Sequence, residues 1–137
     1  MNLPQLAQFN DVSLLLLRLM IFLVFFTSGW NHLRDPQKRS KDIGMSPAFT
    51  VFLGIAECAG ALGVLFGVLA QLAAAGLILL MCGSISKKMF TWHTGFWGKD
   101  GTNGWSYDLI MVVMNIVIVT TAGGNLTVAN LLHLKSL

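Results

Sequence analysis

From Ala48 to Ser86 the chain carries a single charged side chain, Glu57. No other feature restricts the fold as much. As one helix, at 1.5 Å per residue, this stretch would be almost twice as long as a bilayer's hydrocarbon core of roughly 30 Å. Two membrane-crossing helices joined by a tight turn fit better, with the turn at Gly67 to Gln71, where Gln71 is the one polar side chain. An earlier apolar run, Val12 to Trp30, is interrupted only by Arg18, and Pro36 and Pro47 disfavour its continuation. A last run extends from Trp105 to Ala122, where Gly123 and Gly124 end it. The expected spans are about 12–31, 48–68, 71–90 and 105–122 within one membrane domain, 1–137. The fold class is an all-α membrane protein, a four-transmembrane-helix bundle. The apolar tail 126–137 is too short to cross and is expected to lie along the interface.

The composition agrees: 55% of residues are hydrophobic and 11% charged, against about 25% charged in soluble domains. Such a chain has too few polar groups to wet its surface, so its main partner is the lipid bilayer. The net charge of +3 does not indicate nucleic acid, because the basic residues are gathered between spans. Arg34, Lys38, Arg39 and Lys41 follow the first span, and Lys87, Lys88 and Lys99 follow the third. By the positive-inside rule the basic loops 31–47 and 87–104 are cytoplasmic and both termini lie outside. Residues 1–11 contain no Lys or Arg and no A-x-A-like site closes the next run, so that run is read as a span rather than a signal peptide. Trp30, Trp92, Trp97 and Trp105 all fall on the basic side. They read either as interfacial anchors or as the rim of a binding mouth or subunit contact.

Charges at membrane depth are costly and usually find a partner inside the protein. Arg18 lies about 9–10 Å below one edge of the membrane and Glu57 roughly 16 Å below the same edge, by helical rise. Their offset is within an arginine's reach, so an intramembrane Arg18–Glu57 ion pair is expected. The pair reads either as a helix lock or as a pocket, with Arg18 holding an anionic or carbonyl group and Glu57 relaying protons. Ala56, Gly60, Gly63 and Gly67 form a small-residue stripe on which another helix can pack closely, with Glu57 pointing into the same seam. His32, His93 and Asp108 gather at the basic ends of three spans and are candidate pocket residues. No short spacing marks them as metal ligands, and no metal site is assigned. Asn115, mid-span, is expected to bond across helices, facing Cys82 or the Arg18–Glu57 seam. Cys58 and Cys82 lack a CxxC or Cys/His spacing and read as small apolar residues or, less simply, as a redox pair.

In order along the chain, several short segments resemble the DoxX family of small membrane proteins. They are Leu17-Arg18-Leu19, Phe26 to His32 with Gly29, Gly44-Met45-Ser46-Pro47, Glu57 with Cys58-Ala59-Gly60-Ala61-Leu62, His93 with Gly95-Phe96, and Gly123-Gly124 ahead of Leu131-Leu132. Many members have Gly-Pro-Gly where this chain has Gly123-Gly124. The resemblance implies a four-helix membrane bundle, set here in a bacterial inner membrane. It also implies an association with redox chemistry, since one named member is the small subunit of a thiosulfate:quinone oxidoreductase. Three functions stay open: a membrane component of a quinone- or lipid-linked oxidoreductase, with a quinone as candidate cofactor; a non-catalytic anchoring or stabilising subunit; and a small-molecule carrier. The expected protein partners are a second copy or other membrane subunits.

Overall fold

The computed structural model describes residues 3–99 and 101–132. A 3-10 turn, Pro4–Phe9, leads into α1, Asn10–Arg34. A short α2, Pro36–Ile43, follows, then α3, Pro47–Phe66, and α4, Ala70–Ser86. A π-helical turn, Lys87–Thr91, extends α4, and a two-residue antiparallel hairpin pairs Gly98 with Asn103 and Lys99 with Thr102. The last elements are α5, Trp105–Thr121, and a short α6, Val128–Leu131. The helices α1 and α3, and α4 together with its π-helical extension, are long and apolar enough to cross a membrane, and α5 is a shorter apolar helix. Their outer faces present Leu16, Leu23, Phe52, Leu72, Leu79 and Ile110, all exposed. The molecule is an integral membrane bundle of four main helices in contact with lipid.

The segment after the first span is not a loop. α1 ends at Arg34, just before Pro36, as expected, and Pro36 and Pro47 each start a new helix, because each sits at a first-turn position where no amide donor is needed. Asp35 caps α2 by accepting from the Lys38 amide, and Ser46 caps α3 by accepting from the Phe49 amide at 3.2 Å. Each cap contributes about 1 kcal/mol. The tight α3–α4 turn falls within the expected Gly67–Gln71 segment: Gly67 ends α3 in the left-handed region and α4 begins at Ala70. Of the expected interfacial tail 126–137, residues 133–137 lie outside the described residues.

One buried stripe on each helix makes the core: Leu14, Arg18, Ile21, Phe25, Gly29 and His32 on α1; Thr50, Gly54, Glu57, Ala61 and Val64 on α3. On α4 the stripe is Ala70, Ala74, Leu77 and Met81, and on α5 it is Asp108, Met111, Asn115 and Ile118. The three-and-four spacing is that of a helix with one inward seam. The α1–α3 crossing is the closest. A Cβ on Gly29 would lie 2.8 Å from both the Cys58 sulfur and the Gly54 carbonyl oxygen, and one on Gly54 would lie 2.9 Å from the Gly29 carbonyl oxygen. Two bare glycines therefore let the backbones touch. The other strong pairing is α4 with α5, so the bundle is two helix pairs laid together.

Candidate functional site

At the basic end the two pairs part around a cavity of about 630 Å³, inside the usual range for ligand pockets. Its inner wall is apolar, with Val24, Phe25, Leu53, Leu80 and Met81. Two polar groups face into it. On the α1–α3 side Arg39 Nε donates to His32 Nδ1 at 3.2 Å. Arginine can only donate, so Nδ1 presents its lone pair and the ring proton sits on Nε2. That nitrogen is 3.7 Å from Glu57 Oε1, too long for a direct hydrogen bond. Glu57 is only 5% exposed, and its other oxygen, Oε2, is buried with no hydrogen-bond partner among the described residues. On the α4–α5 side Asp108 accepts from Ser84 Oγ at 3.0 Å and pairs with Lys88 Nζ at 3.0 Å. The Lys88 ammonium also stands 5.8 Å from the centre of the Tyr107 ring. Asp108 is thus neutralised and hydrogen-bonded, whereas Glu57 is buried and under-bonded.

The expected Arg18–Glu57 ion pair does not form. Arg18, 1% exposed, turns toward the opposite end of the bundle. Its Nε donates to the Val64 carbonyl at 2.8 Å and its Nη2 to the Leu65 carbonyl. Its Nη1 donates to the carbonyls of Leu126 at 2.6 Å and Gly123 at 3.4 Å. The reason is the end of α3. The last carbonyls of a helix have no amide to accept from and carry partial negative charge, so they make a better nearby partner for a guanidinium than a carboxylate two turns away. The same end is tied down by Asp11, which accepts from the Asn125 amide at 3.0 Å and side chain at 3.3 Å. Gly67 lies against Thr127. Arg18 is therefore part of a closed far end, away from the cavity.

Of the four expected pocket residues, His32 and Asp108 line the cavity and His93 and Asn115 do not. His93 is exposed, with φ 49°, in a shallow hollow with Met89, Gly95 and Trp105. The π-helical turn before it rotates the chain, so Lys88, Thr91 and Trp92 line the cavity in its place. Asn115 is fully buried but bonds within its own helix, its Nδ2 donating to the Met111 carbonyl at 2.9 Å while Oδ1 has no partner. It does not meet Cys82, which is exposed on the outer surface. Glu57 does not share the seam of the glycine stripe: Gly60 and Gly63 lie against Leu77 and Ala73 of α4, while Glu57 faces His32 of α1. Sequence reasoning missed Arg39, Ser84 and Lys88, having counted the two basic residues only as topology signals. The spacing of four between Ser84 and Lys88 was the available sign that they share a face.

No curated protein and no solved structure matches the chain. A sequence model of the DoxX family matches residues 13–94, more than half of the 137 residues. The matched part includes Arg18, His32, Glu57 and Lys88, while α5 with Asp108 lies beyond it. The ordered match and the apolar helices that span its length agree: this chain belongs to the DoxX family and is a small integral membrane protein.

Proposed function

We propose that the basic-end cavity binds a lipid-soluble ring compound with hydrogen-bonding oxygens, a quinone or quinol. In this reading the protein is the membrane component of an oxidoreductase system. The observation that carries it is Glu57 on the wall of a mostly apolar, ligand-sized cavity, with a buried carboxyl oxygen, Oε2, that has no partner among the described residues. Leaving such an atom unbonded costs about 1–3 kcal/mol. A quinol hydroxyl donating to it, or a protonated Glu57 donating to a quinone carbonyl, removes that cost. His32, whose protonated Nε2 lies 3.7 Å from Glu57 Oε1, can donate toward the carboxylate after a small movement. Apolar and aromatic walls with a few convergent polar groups are what a flat apolar ring needs. Electrons would come from, or go to, a redox centre on a partner subunit.

The basic end, including the cavity mouth, would face the cytoplasm of a bacterial inner membrane. The exposed hairpin around Trp97, which is 85% exposed, supports a subunit contact there, whether to a second copy or to a different chain. The carrier reading has less support, because the Arg18 cluster closes the far end of the bundle.

The test is equilibrium binding of benzoquinol and naphthoquinol rings, whose hydroxyls donate to the carboxylate, to the protein in nanodiscs. Glu57→Gln should weaken binding by roughly 10–100-fold, the value of one hydrogen bond to a charged group, with a melting profile unchanged or shifted upward. Equal affinity of the wild type and Glu57→Gln would refute the proposal.

A further inference from the structure

The stripe of α3 that faces α4 changes character along its length. At about 100° per residue, Phe49, Leu53, Ala56, Gly60, Gly63 and Gly67 fall within one arc of about 80°. Near the turn the small residues let the helices touch: a Cβ on Gly60 would lie 2.8 Å from Leu77, and one on Gly63 would lie 3.0 Å from Ala73. Toward the basic end the same stripe carries Leu53 and Phe49, and both line the cavity. Glycine at one end and bulky side chains at the other make α3 and α4 diverge.

The cavity continues through that gap. Leu79 and Phe90 of the α4 arm are each 73% exposed on the outer surface, and both still line the cavity, as does Gly83 between them. These residues lie on the side of α4 opposite its buried stripe of Leu77 and Met81, so the cavity wraps from the interior onto the lipid-facing side. A Cβ added at Gly83 would meet nothing within 4 Å. On the other flank, between α1 and α5, Tyr107 lines the cavity and is 37% exposed.

We infer that the gap between α3 and α4 at the basic end, bounded by Phe49, Leu53, Leu79, Gly83 and Phe90, is a lateral port through which a ligand with a long apolar tail reaches the cavity from the bilayer. The ring sits by Glu57 and His32 while the tail stays in the gap and in the lipid. This rests on the quinone reading of the cavity and adds to it the class of ligand: one with an isoprenoid or acyl-like tail.

The test compares a benzoquinol, the reduced quinone, bearing a ten-unit isoprenoid tail with the same ring bearing a methyl group, in nanodiscs corrected with empty ones. Gly83→Phe fills open space on the port without touching the ring site. Overfilling a passage already occupied by the tail should weaken binding of the tailed quinol by roughly tenfold or more, with binding of the tail-less ring unchanged. Gly76→Phe, on the same side of α4 and equally free of neighbours within 4 Å, should leave both unchanged. Phe90→Ala, which opens the port, should speed dissociation of the tailed quinol. If Gly83→Phe and Phe90→Ala both bind and release the tailed quinol as the wild type does, while Glu57→Gln still loses the ring, the port is refuted and the cavity reading stands. If Glu57→Gln binds the tail-less ring as the wild type does, both fall.

Discussion

Arg18 and Glu57 both sit at membrane depth, and the structure assigns them to separate networks at opposite ends of the bundle. A double-mutant cycle tests that separation. Arg18→Met keeps most of the side chain's apolar volume and removes its donors. Three of the hydrogen bonds it loses, to Val64, Leu65 and Leu126, contribute about 1.5–3 kcal/mol each for a charged donor. Against that loss, removing a charge from the membrane interior recovers about 2.5–3.5 kcal/mol. The net expectation is a destabilisation of about 1–6.5 kcal/mol, measured by reversible denaturation in mixed micelles. Glu57→Gln alone should be neutral or stabilising, because it removes a buried charge that holds no short hydrogen bond. The double variant should then be additive to within about 0.5 kcal/mol, as for sites that share no partner. A matching cycle of His32→Leu with Glu57→Gln should show a coupling above that limit. A coupling above about 1 kcal/mol between Arg18 and Glu57 would mean that the two charges do meet, and the assignment of Arg18 to the carbonyls at the end of α3 would be wrong.

Asp108→Ala strands the Lys88 ammonium beside the cavity and should destabilise by about 3–5 kcal/mol; Lys88→Met added to it should recover part of that loss in the same denaturation assay. Gly54→Leu drives a side chain into Leu33 and the Gly29 carbonyl and should cost at least about 1–3 kcal/mol, seen as a lower melting temperature, whereas Gly76→Leu should leave the melting temperature within error. With both basic segments on the cytoplasmic side, cysteines placed at Lys41 and Lys99 should react with an impermeant maleimide only in inverted vesicles; labelling in right-side-out vesicles would reverse the proposed orientation.

Lipid as solvent makes the spans readable. A helix solvated by hydrocarbon cannot carry many charges, so the runs around Val12 to Trp30 and Ala48 to Ser86 mark membrane crossings whatever their partners are. The inward faces were also readable in principle. Arg18, Phe25 and His32 recur at sevens on α1, as Glu57 and Thr50 do on α3 and Asp108 and Asn115 on α5. That periodicity puts His32 on the same stripe as Arg18 and could have identified it as the neighbour of Glu57. What depth and periodicity could not supply was the partner of Arg18. Its acceptors are backbone carbonyls exposed by the end of α3, and no side-chain pattern records them. The position of His93 was hidden for a related reason. The π-helical turn Lys87–Thr91 puts an extra residue into the helix, so faces counted at 3.6 residues per turn go out of step beyond it.

The two ends of the bundle treat polar atoms in opposite ways, and that difference points to where a ligand can bind. At the far end Arg18 and Asp11 meet backbone donors and acceptors from α3 and the segment after α5. Those backbone groups would otherwise be unsatisfied in a medium with no water, so the network stabilises the fold and offers a ligand little free bonding capacity. At the basic end the polar atoms meet other side chains, and the pairing is incomplete: Asp108 is paired through Oδ2 with both Lys88 and Ser84, while Glu57 keeps one buried oxygen without a partner among the described residues and the other 3.7 Å from His32. Hydrocarbon cannot supply the missing bond. In the proposed reading the bond comes from a molecule that enters the cavity with a hydroxyl or a carbonyl, and this favours Glu57 over Arg18 as the seat of the proposed chemistry.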